Sequence, residues 1–253
     1  MNEASGRELI VHCEGPDQAF PRPAGEVLPN PTDVAVWAAT LEELAPFAAA
    51  YAALLDRGER ERLERFRFDT DKDRFLLGHG FLRAVLGRYL EERPESIRFE
   101  RGRFGKPFIP DLPINFNLSD TKDAVAIAVS TDRDLGVDVE TMARMVDHGA
   151  VGEHYFTNEE VASIDASADG KRRFLELWTR KEAVLKASGV GIMDDLRVLR
   201  VDEAVNRMMI THDEFVAMAA PAYHVRTWRL GPSHIVSLAS STTLGAVHFL
   251  NVH

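Results

Sequence analysis

The sequence predicts a mixed α/β (α+β) fold in which two similar α/β halves form an intramolecular pseudo-dimer. Its length of 253 residues suits one large domain or two small ones. Strand-like runs alternate with two long helix-like segments, which is typical of an α/β chain. A sequence echo suggests the two halves, because residues 74–76 recur as 173–175 (RFL) and residues 84–86 recur as 183–185 (AVL) at one common offset.

We place the halves at residues 1–132 and 133–253. Each copy of the echo lies on a long predicted helix that is followed by strands, so the cleft between the halves is the natural place for a ligand. Chance similarity between two amphipathic helices is the alternative explanation of the echo.

The elements of the first half follow from local patterns. Its first thirty residues are rich in proline and predict an irregular lead-in. Residues 33–41 predict a strand, and residues 59–66 and 71–92 predict helices. Pro94 ends the second helix, because proline cannot continue a helix interior.

Short strands follow these helices. Residues 96–110 predict a strand, a glycine turn and a second strand. Residues 114–118 and 124–130 predict two strands around a polar turn, and residues 135–140 predict another strand.

In the second half, Thr157 and Glu160 fit a capping box, so a helix should begin near residue 158. Residues 172–189 predict a helix that Gly189 closes in the left-handed conformation. The remaining chain predicts strands at 196–201, 222–230, 234–241 and 245–250.

Composition excludes several classes of protein. The net charge of −10 argues against a general nucleic-acid binder. No apolar run approaches the roughly 18 residues that a membrane span needs, and the N-terminus lacks the pattern of a secretion signal. The single cysteine, Cys13, cannot form an internal disulfide and lies in the predicted lead-in, a poor place for a nucleophile. A reducing cytoplasm is therefore the expected compartment.

One region is basic although the whole chain is acidic. Residues 57–106 carry 14 Lys/Arg and 10 Asp/Glu side chains. This local excess indicates an anionic small ligand or an acidic partner. A helix face covered with salt bridges is the alternative.

Asp138 and Glu140 are the first candidates for chemistry. They stand two positions apart on a predicted strand, so both side chains point to the same face. Two neighbouring carboxylates repel each other unless they are solvated or share a cation, and paired oxygen ligands suit Mg²⁺. A solvated sheet edge is the alternative interpretation.

Glu182 and Lys186 are the second candidates. They are four residues apart on the predicted helix 172–189 and therefore share one face. Taken alone, this spacing is typical of a surface ion pair. Together with Asp138 and Glu140, a third carboxylate and a lysine resemble a metal–phosphate site in the second half.

Two polar segments in the first half offer groups to an anion. In residues 103–107 a glycine permits a tight turn that brings Lys106 beside backbone donors, although a polar hairpin tip would look the same. Asn117 and Ser119 lie at a predicted strand end and offer an amide and a hydroxyl group. The phosphate-loop, dinucleotide, nucleophile-elbow and zinc-helix motifs are absent from the sequence.

These segments, in this order, resemble the 4'-phosphopantetheinyl transferase superfamily, specifically its long, pseudo-dimeric Sfp-type group. The resemblance runs from about Trp37 to about Leu196 and is carried by RLERF…DRFLLGHGFLR, FGKPFIP, FNLSD, GVDVE and LWTRKEAVLKASGVGI. GVDVE followed by WTRKEAVLK is its most specific part. The resemblance implies the 4'-phosphopantetheinyl transferase fold, with coenzyme A between two α/β halves.

The activity that the resemblance implies is transfer of the 4'-phosphopantetheine group from coenzyme A to a serine hydroxyl of an apo acyl or peptidyl carrier protein. Adenosine 3',5'-bisphosphate would be the other product. Carriers of fatty-acid, polyketide, siderophore or nonribosomal-peptide biosynthesis all fit. Because the cleft forms within one chain, we expect a monomer. From its charge, hydropathy and single cysteine we expect it to be cytoplasmic and to bind neither nucleic acid nor membrane.

The resemblance also implies roles for residues. Asp138, Glu140 and Glu182 would hold Mg²⁺ with the diphosphate. Glu182 would act as general base toward the carrier serine, and Lys186 would neutralise the leaving phosphate. The implied coenzyme A contacts are Arg62, Arg74, Arg101, Gly105, Lys106, Asn117, Ser119, Asp120, Lys181 and Lys186.

Two positions depart from the family pattern. Asp120 stands where the family usually has histidine, and Glu59 stands where it has the first lysine of an early basic motif. We therefore expect weakened or rearranged recognition of the coenzyme A 3'-phosphate. The main alternative is a non-catalytic relative that binds coenzyme A or a carrier protein with a decayed site. A different Mg²⁺-dependent nucleotide enzyme is a third possibility. Residues 142–156 either shape the carrier-binding edge or form a flexible connector.

Overall fold

Two main sheets organise the chain in the computed structural model, which describes residues 6–20, 33–145, 148–191, 193 and 195–250. The strands are β1 (Arg7–Ala19), β2 (Val34–Thr40), β3 (Glu100–Arg101), β4 (Pro107–Phe108), β5 (Asn115–Asp120), β6 (Ala124–Ser130), β7 (Leu135–Thr141), β8 (Val205–Ile210), β9 (Ala222–Leu230), β10 (His234–Ser240) and β11 (Val247–Phe249). The helices are α1 (Leu41–Leu44), α2 (Ala48–Leu54), α3 (Arg57–Leu63), α4 (Asp69–Leu90), α5 (His148–Tyr155), α6 (Asn158–Asp165), α7 (Gly170–Ser188) and α8 (Asp213–Met218). This mixture confirms the predicted α/β class.

The two sheets exchange their terminal strands. One sheet has the order β7-β10-β9-β1-β8 and the other has the order β11-β2-β6-β5, while β3 and β4 form a separate hairpin. β1 pairs in parallel with β9, and β11 pairs in parallel with β2, whereas the other neighbours are antiparallel. The first strand thus belongs to the sheet of the second half, and the last strand belongs to the sheet of the first half. The division at 132 and 133 stays a prediction.

Three apolar clusters form the core. One includes buried side chains of α7 with β1, β9 and β10, and a second includes those of α4 with β2, β5 and β6. The third joins the sheets to each other, because Val36 and Ala126 of one sheet pack with Val137, Val139 and Leu238 of the other. Every residue of β6, β7 and β10 is buried, as expected for strands that are covered on both faces.

β7 divides its side chains between these layers. Leu135, Val137 and Val139 enter the cluster between the sheets. The alternate positions face α7, and Gly136 is the point of closest approach. A Cβ atom placed on Gly136 would lie 2.2 Å from the Ala183 carbonyl oxygen, so only glycine allows α7 to lie this close to β7. This contact brings the polar residues of α7 over those of β7.

The long helices and their ends agree with the sequence predictions. α4 and α7 occupy the two predicted segments, and both carry one copy of the echo. Thr157 and Glu160 form the predicted reciprocal capping box of α6. Gly189 adopts φ 72° at the end of α7, as predicted. Among the described residues, no helix combines the length and the apolar character that crossing a bilayer requires.

Two predictions were wrong. Part of the predicted lead-in is the strand β1, whose Leu9, Val11 and Cys13 are buried in the core. Burial raises the pKa of the Cys13 thiol to about 11, so Cys13 is a poor nucleophile because it is buried, not because it lies in a mobile segment. The predicted strand at 196–201 begins instead as a single 3-10 turn over residues 196–198.

Candidate active site

The candidate site lies where the edge strands of the two sheets meet under α7. Asp138 and Glu140 project from β7, and Glu182 and Lys186 project from α7. The Lys186 Nζ lies 2.6 Å from Asp138 Oδ1. Burial raises the pKa of Glu182, and the nearby charge of Asp138 raises it further, while Lys186 opposes both effects. The structure therefore brings together the four residues that the spacing singled out.

One carboxylate oxygen of Asp138 has hydrogen-bond partners, and the other has none among the described residues. Its Oδ1 accepts hydrogen bonds from Lys186 Nζ (2.6 Å) and from Ser119 Oγ (2.8 Å). Its Oδ2 is buried and has no hydrogen-bond partner among the described residues. Because an unsatisfied buried carboxylate oxygen is costly, Oδ2 calls for a cation or a donor that comes from outside the chain.

The carboxyl group of Glu140 has a strongly raised pKa. Burial raises its pKa to about 7, and the charge of Asp138 adds to this, while Arg144 and Lys186 oppose it. Its Oε1 forms an ion pair with Arg144, and its Oε2 accepts a long hydrogen bond from Thr121 Oγ1 (3.4 Å). Burial and the charge of Asp138 thus disfavour the charged form of Glu140, and Arg144 and Lys186 partly offset this effect.

The donor set fits a hard divalent cation. Asp138, Glu140 and Glu182 supply carboxylate oxygens, which Mg²⁺ prefers, and Asp138 Oδ2 has no other partner among the described residues. Among the described residues, however, no three side chains of the metal-binding types lie close enough together to hold a metal ion. Lys186 forms an ion pair with Asp138, and Arg144 forms an ion pair with Glu140. The chemistry of the site fits the metal, and binding it requires these side chains to rearrange.

The edge strand β5 fixes the edge of β7. Asn117 Oδ1 accepts a hydrogen bond from the Val137 backbone N–H (2.8 Å). Ser119 Oγ accepts bonds from the Val139 N–H (3.3 Å) and from Lys186 Nζ (2.9 Å). Asn117 and Ser119, which were predicted to contact coenzyme A, therefore join the two halves of the site with their side chains.

Lys106 follows the predicted glycine turn and contacts the backbone of two other elements. Its turn is made by Gly105, which adopts φ 84°. Its Nζ donates to the backbone carbonyls of Leu135 (2.9 Å) and Lys186 (2.8 Å), so it joins the β3–β4 hairpin to β7 and to the end of α7. Burial lowers the pKa of Lys106 to about 8. Two of its three N–H groups are used inside the protein, and Lys106 also lines two cavities, so its contact with a coenzyme A phosphate stays a prediction.

The structure places Lys181 in the interior of the second half instead of at the predicted coenzyme A contact. It is fully buried, and its Nζ donates to Glu160 Oε2 (2.7 Å), to the Tyr155 carbonyl (3.1 Å) and to the Leu196 carbonyl (2.8 Å). All three N–H groups are satisfied within the second half, so the predicted contact with the diphosphate is not available to Lys181. Trp178, on the same helix, stacks on Phe174 as a packing residue.

The basic residues of the first half lie at two places. Arg62 and Arg101 line a cavity of about 390 Å³, together with the apolar rings of Phe75 and Phe99. The Arg62 guanidinium lies 4.9 Å from the centre of the Phe75 ring. Arg101 also donates to the Gly105 carbonyl (2.9 Å), which holds the turn of the hairpin.

Arg74 lies at an open cavity that Glu140 also lines. Its Nε forms an ion pair with Asp120 Oδ2 (2.9 Å), and its other end pairs with Asp71 (3.1 Å). Asp120 is therefore neutralised by a basic residue, which removes part of the repulsion that the sequence suggested. The same pair also occupies Arg74, which was expected to meet a phosphate.

Glu59 has a structural partner set. It completes a capping box with Asp56 at the start of α3. Its carboxylate also contacts His79 Nδ1 (3.0 Å) and Arg83 Nε (2.5 Å). Burial raises its pKa, but the hydrogen bonds from His79 and Arg83 outweigh this and lower it, so Glu59 is charged and satisfied inside the first half.

Arg144 and Thr121 belong to the site although no sequence pattern indicated them. Both contact Glu140, yet each lies in a turn, where no periodic pattern links a residue to a neighbouring strand. Arg144 follows Glu140 by four positions, but this spacing predicts a contact only in a helix. The tertiary structure was needed to find them.

The chain is similar to known proteins over most of its length. A family model described as the 4'-phosphopantetheinyl transferase superfamily matches residues 134–238. A second, described as the N-terminal part of 4'-phosphopantetheinyl transferase, matches residues 35–132.

Three curated relatives carry the same description. The 4'-phosphopantetheinyl transferase HetI of Nostoc sp. is 32% identical over 166 residues, which cover 63% of this chain and 70% of the relative. The 4'-phosphopantetheinyl transferase psf-1 of Bacillus pumilus is 30% identical over 213 residues, which cover 82% of this chain and 85% of the relative. The 4'-phosphopantetheinyl transferase Sfp of Bacillus subtilis is 25% identical over 198 residues, which cover 76% of this chain and 84% of the relative. The chain belongs to the 4'-phosphopantetheinyl transferase superfamily, in its Sfp-type group, and is an enzyme of this kind.

Proposed function

We propose that this chain transfers 4'-phosphopantetheine from coenzyme A to a serine hydroxyl of an apo acyl or peptidyl carrier protein in a Mg²⁺-dependent reaction. The observation that carries the proposal is the group formed by Asp138, Glu140, Glu182 and Lys186 at the junction of the two sheets. Membership in the family supports coenzyme A as the donor and a carrier protein as the acceptor.

The reaction exchanges one phosphorus–oxygen bond for another. The serine oxygen attacks the phosphorus that carries the pantetheine group, and the bond from this phosphorus to the bridging oxygen breaks. Adenosine 3',5'-bisphosphate leaves with the electron pair of that bond. The proton of the serine must be accepted at the same time, and charge on the leaving phosphate must be offset.

The residues of the site suit these tasks. Asp138, Glu140 and Glu182 would hold the Mg²⁺, which stabilises the charge that develops on the diphosphate. Glu182 would accept the serine proton, since burial and Asp138 raise its pKa toward the range where a carboxylate is an effective base. Lys186 would place its ammonium group beside the leaving phosphate from the end of α7.

The coenzyme A contacts belong to the same proposal. Arg62 and Arg101 line a cavity with aromatic walls, and Arg74 lies at a second cavity that Glu140 also lines. Gly105 and Asn117 line a third cavity with Lys186, and the Ser119 hydroxyl contacts Lys186 and Asp138. Because residues of both predicted halves face one site, we propose that a monomer carries the complete activity.

Intact-mass spectrometry of an apo carrier protein tests the proposal. The carrier is incubated with this protein, coenzyme A and Mg²⁺, and parallel samples omit the metal or contain the Glu182→Ala variant. We expect the mass of one phosphopantetheine group to be gained only with metal and wild-type protein. If several unrelated carriers gain no mass from a folded protein, the chain is a binding relative with a decayed site.

A further inference from the structure

Arg144 lies in the turn after β7, beside the carboxylates of the candidate site. Its backbone N–H donates to the Thr141 carbonyl (3.0 Å), and its guanidinium forms an ion pair with Glu140 Oε1. The guanidinium also lies 5.2 Å from the centre of the Trp178 ring on α7. Arg144 therefore bridges the strand that carries Asp138 and Glu140 and the helix that carries Glu182.

Charge explains why an arginine is stable at this position. Burial and the nearby charge of Asp138 raise the pKa of both Glu140 and Glu182. Arg144 counteracts the shift of both groups.

A divalent cation and the Arg144 guanidinium compete for Glu140, because two positive charges held by one carboxyl group repel each other. Binding of the metal to Glu140 therefore favours movement of the Arg144 guanidinium away from Oε1. The side chain of Arg144 is 35% exposed and borders an open cavity of about 480 Å³ with Lys122 and Met145, so space for the movement exists. Met145, the next residue, is 93% exposed and does not hold the turn in the core.

We propose that Arg144 is an exchangeable counter-cation, which neutralises Glu140 in the metal-free protein and is displaced from it when Mg²⁺ binds. Arg144 then acts on the metal site through Glu140, as a positioning residue that lowers the affinity of the empty site for the metal. The inference rests on the proposed function, because it assumes that Asp138, Glu140 and Glu182 are the metal ligands.

Metal binding to the Arg144→Gln variant tests this role without measuring transfer. Mn²⁺ takes the same oxygen ligands as Mg²⁺ and can be counted by the electron paramagnetic resonance signal of the free ion. The titrations are made with and without coenzyme A, and added Mg²⁺ displaces the bound Mn²⁺. Removing a partly buried competing ion pair should tighten metal binding by about tenfold.

Lys122→Gln is the matched control. Lys122 lines the same cavity and donates to the Ala143 carbonyl (3.2 Å), so its replacement removes one positive charge without touching Glu140. We expect its metal affinity to change by less than about twofold, since exposed charges interact weakly. Arg144→Lys keeps the charge but not the planar guanidinium and should lie between Arg144→Gln and wild type.

The fluorescence of Trp178 supplies a second readout. Because Arg144 lies over this ring, metal binding should change the tryptophan emission of wild type. The change should be absent in Trp178→Phe and strongly reduced in Arg144→Gln.

The possible outcomes separate this inference from the function that it rests on. Unchanged or weaker metal binding by Arg144→Gln overturns the role of Arg144 while the metal site stands. An equal gain of affinity in Lys122→Gln also overturns it, because the effect would then be general electrostatics. Absence of metal binding by every variant, with or without coenzyme A, overturns the metal site itself.

Discussion

At the scale of single residues, two cations are shared among three carboxyl groups. Lys186 pairs with Asp138 and Arg144 pairs with Glu140, while Glu182 has no hydrogen bond to either cation and keeps a raised pKa. In the proposed reaction all three carboxylates would hold the metal, and Glu182, which pairs with neither cation, would also accept the serine proton.

The pH dependence of metal binding is the first prediction. Burial and Asp138 raise the pKa of Glu140 to about 7, so Glu140 is increasingly protonated below that pH. Because a metal ligand must be deprotonated, we expect the Mn²⁺ affinity to fall as the pH drops below about 7, by at most about tenfold per pH unit and per proton.

Mn²⁺ titrations between about pH 8 and about pH 5.5 measure this effect. Glu140→Gln should bind the metal more weakly and with a flatter pH profile, with the remaining slope coming from Glu182. A profile that is level through pH 7 in wild type contradicts the prediction.

Asp120 gives a second prediction at this scale. Its ion pair occupies Arg74 at the mouth of the site, so we expect little discrimination between coenzyme A and dephospho-coenzyme A. Asp120→Asn should free Arg74 and lower the KM for coenzyme A by about fivefold at most, since an exposed charge pair contributes about 1 kcal/mol or less.

The KM for dephospho-coenzyme A is the internal control and should not change in Asp120→Asn. Asp71→Asn also removes a partner of Arg74 but leaves the pair with Asp120 in place, so its effect should be smaller. A large wild-type preference for coenzyme A that Asp120→His does not alter would contradict the prediction.

Sequence patterns placed some residues of the site correctly and could not place others. Spacing correctly grouped Asp138 with Glu140 and Glu182 with Lys186, because each pair lies within one regular element. Lys181 was misplaced, although its helical phase with Phe174, Leu177 and Leu185 already indicates the buried face. The carbonyl partners of Lys106 come from distant segments, so no local pattern could have revealed them.

At the scale of elements, the contact between α7 and β7 decides the geometry of the site. Gly136 lies directly below the last turns of α7, and an added Cβ atom would meet the Ala183 carbonyl oxygen at 2.2 Å and the Ala187 nitrogen at 2.4 Å. Both obstacles are backbone atoms, which cannot rotate away as a side-chain end can. The position of α7, which carries Glu182 and Lys186, thus depends on the absence of a side chain at Gly136 of β7.

Gly136→Ala is therefore predicted to damage both stability and activity. α7 would have to shift away from β7, at a cost of about 1–3 kcal/mol of unfolding free energy. The shift would also lower kcat, because Glu182 and Lys186 move with the helix. Urea unfolding measures the first effect and the carrier mass assay measures the second.

Gly78→Ala in α4 is the matched control. An added Cβ atom there would lie 3.7 Å from Val125 Cγ2, which is an ordinary contact, and alanine favours a helix over glycine by about 1 kcal/mol. We expect this variant to be as stable as wild type or more so. Wild-type stability of Gly136→Ala would show that α7 is not fixed by this contact.

At the scale of the whole molecule, the two predicted halves are joined by exchanged strands. The echo of 74–76 and 173–175 correctly marked the two long helices, because each covers one sheet. The exchange itself was missed because proline-rich sequence near the N-terminus concealed β1. Its alternation of buried Leu9, Val11 and Cys13 was present but short. Which sheet such a strand joins depends on pairing with residues about 200 positions away, as between Val11 and Asn206.

The exchange leads to a prediction about cutting the chain between residues 132 and 133. The fragment 133–253 would lack β1, which lies between β9 and β8, so β8 would lose its neighbour in the sheet. It would also lose the bond between the buried Arg180 and the Gly15 carbonyl (2.5 Å), which ties β1 to α7. We expect this fragment alone to show poor amide dispersion in NMR spectra and no cooperative unfolding.

The fragment 1–132 should be less damaged, because it lacks only the edge strand β11 from its own sheet. Mixing the two fragments should restore dispersion and metal-dependent transfer, since β1 then returns to its place between β9 and β8 and the site residues of both halves meet again. If 133–253 folds cooperatively by itself, the division at 132 and 133 separates independent domains and β1 is an accessory strand. Recovery only on mixing would instead mean that the sheet of the second half does not form correctly without β1, so that folding of this half and assembly of the active site are one event.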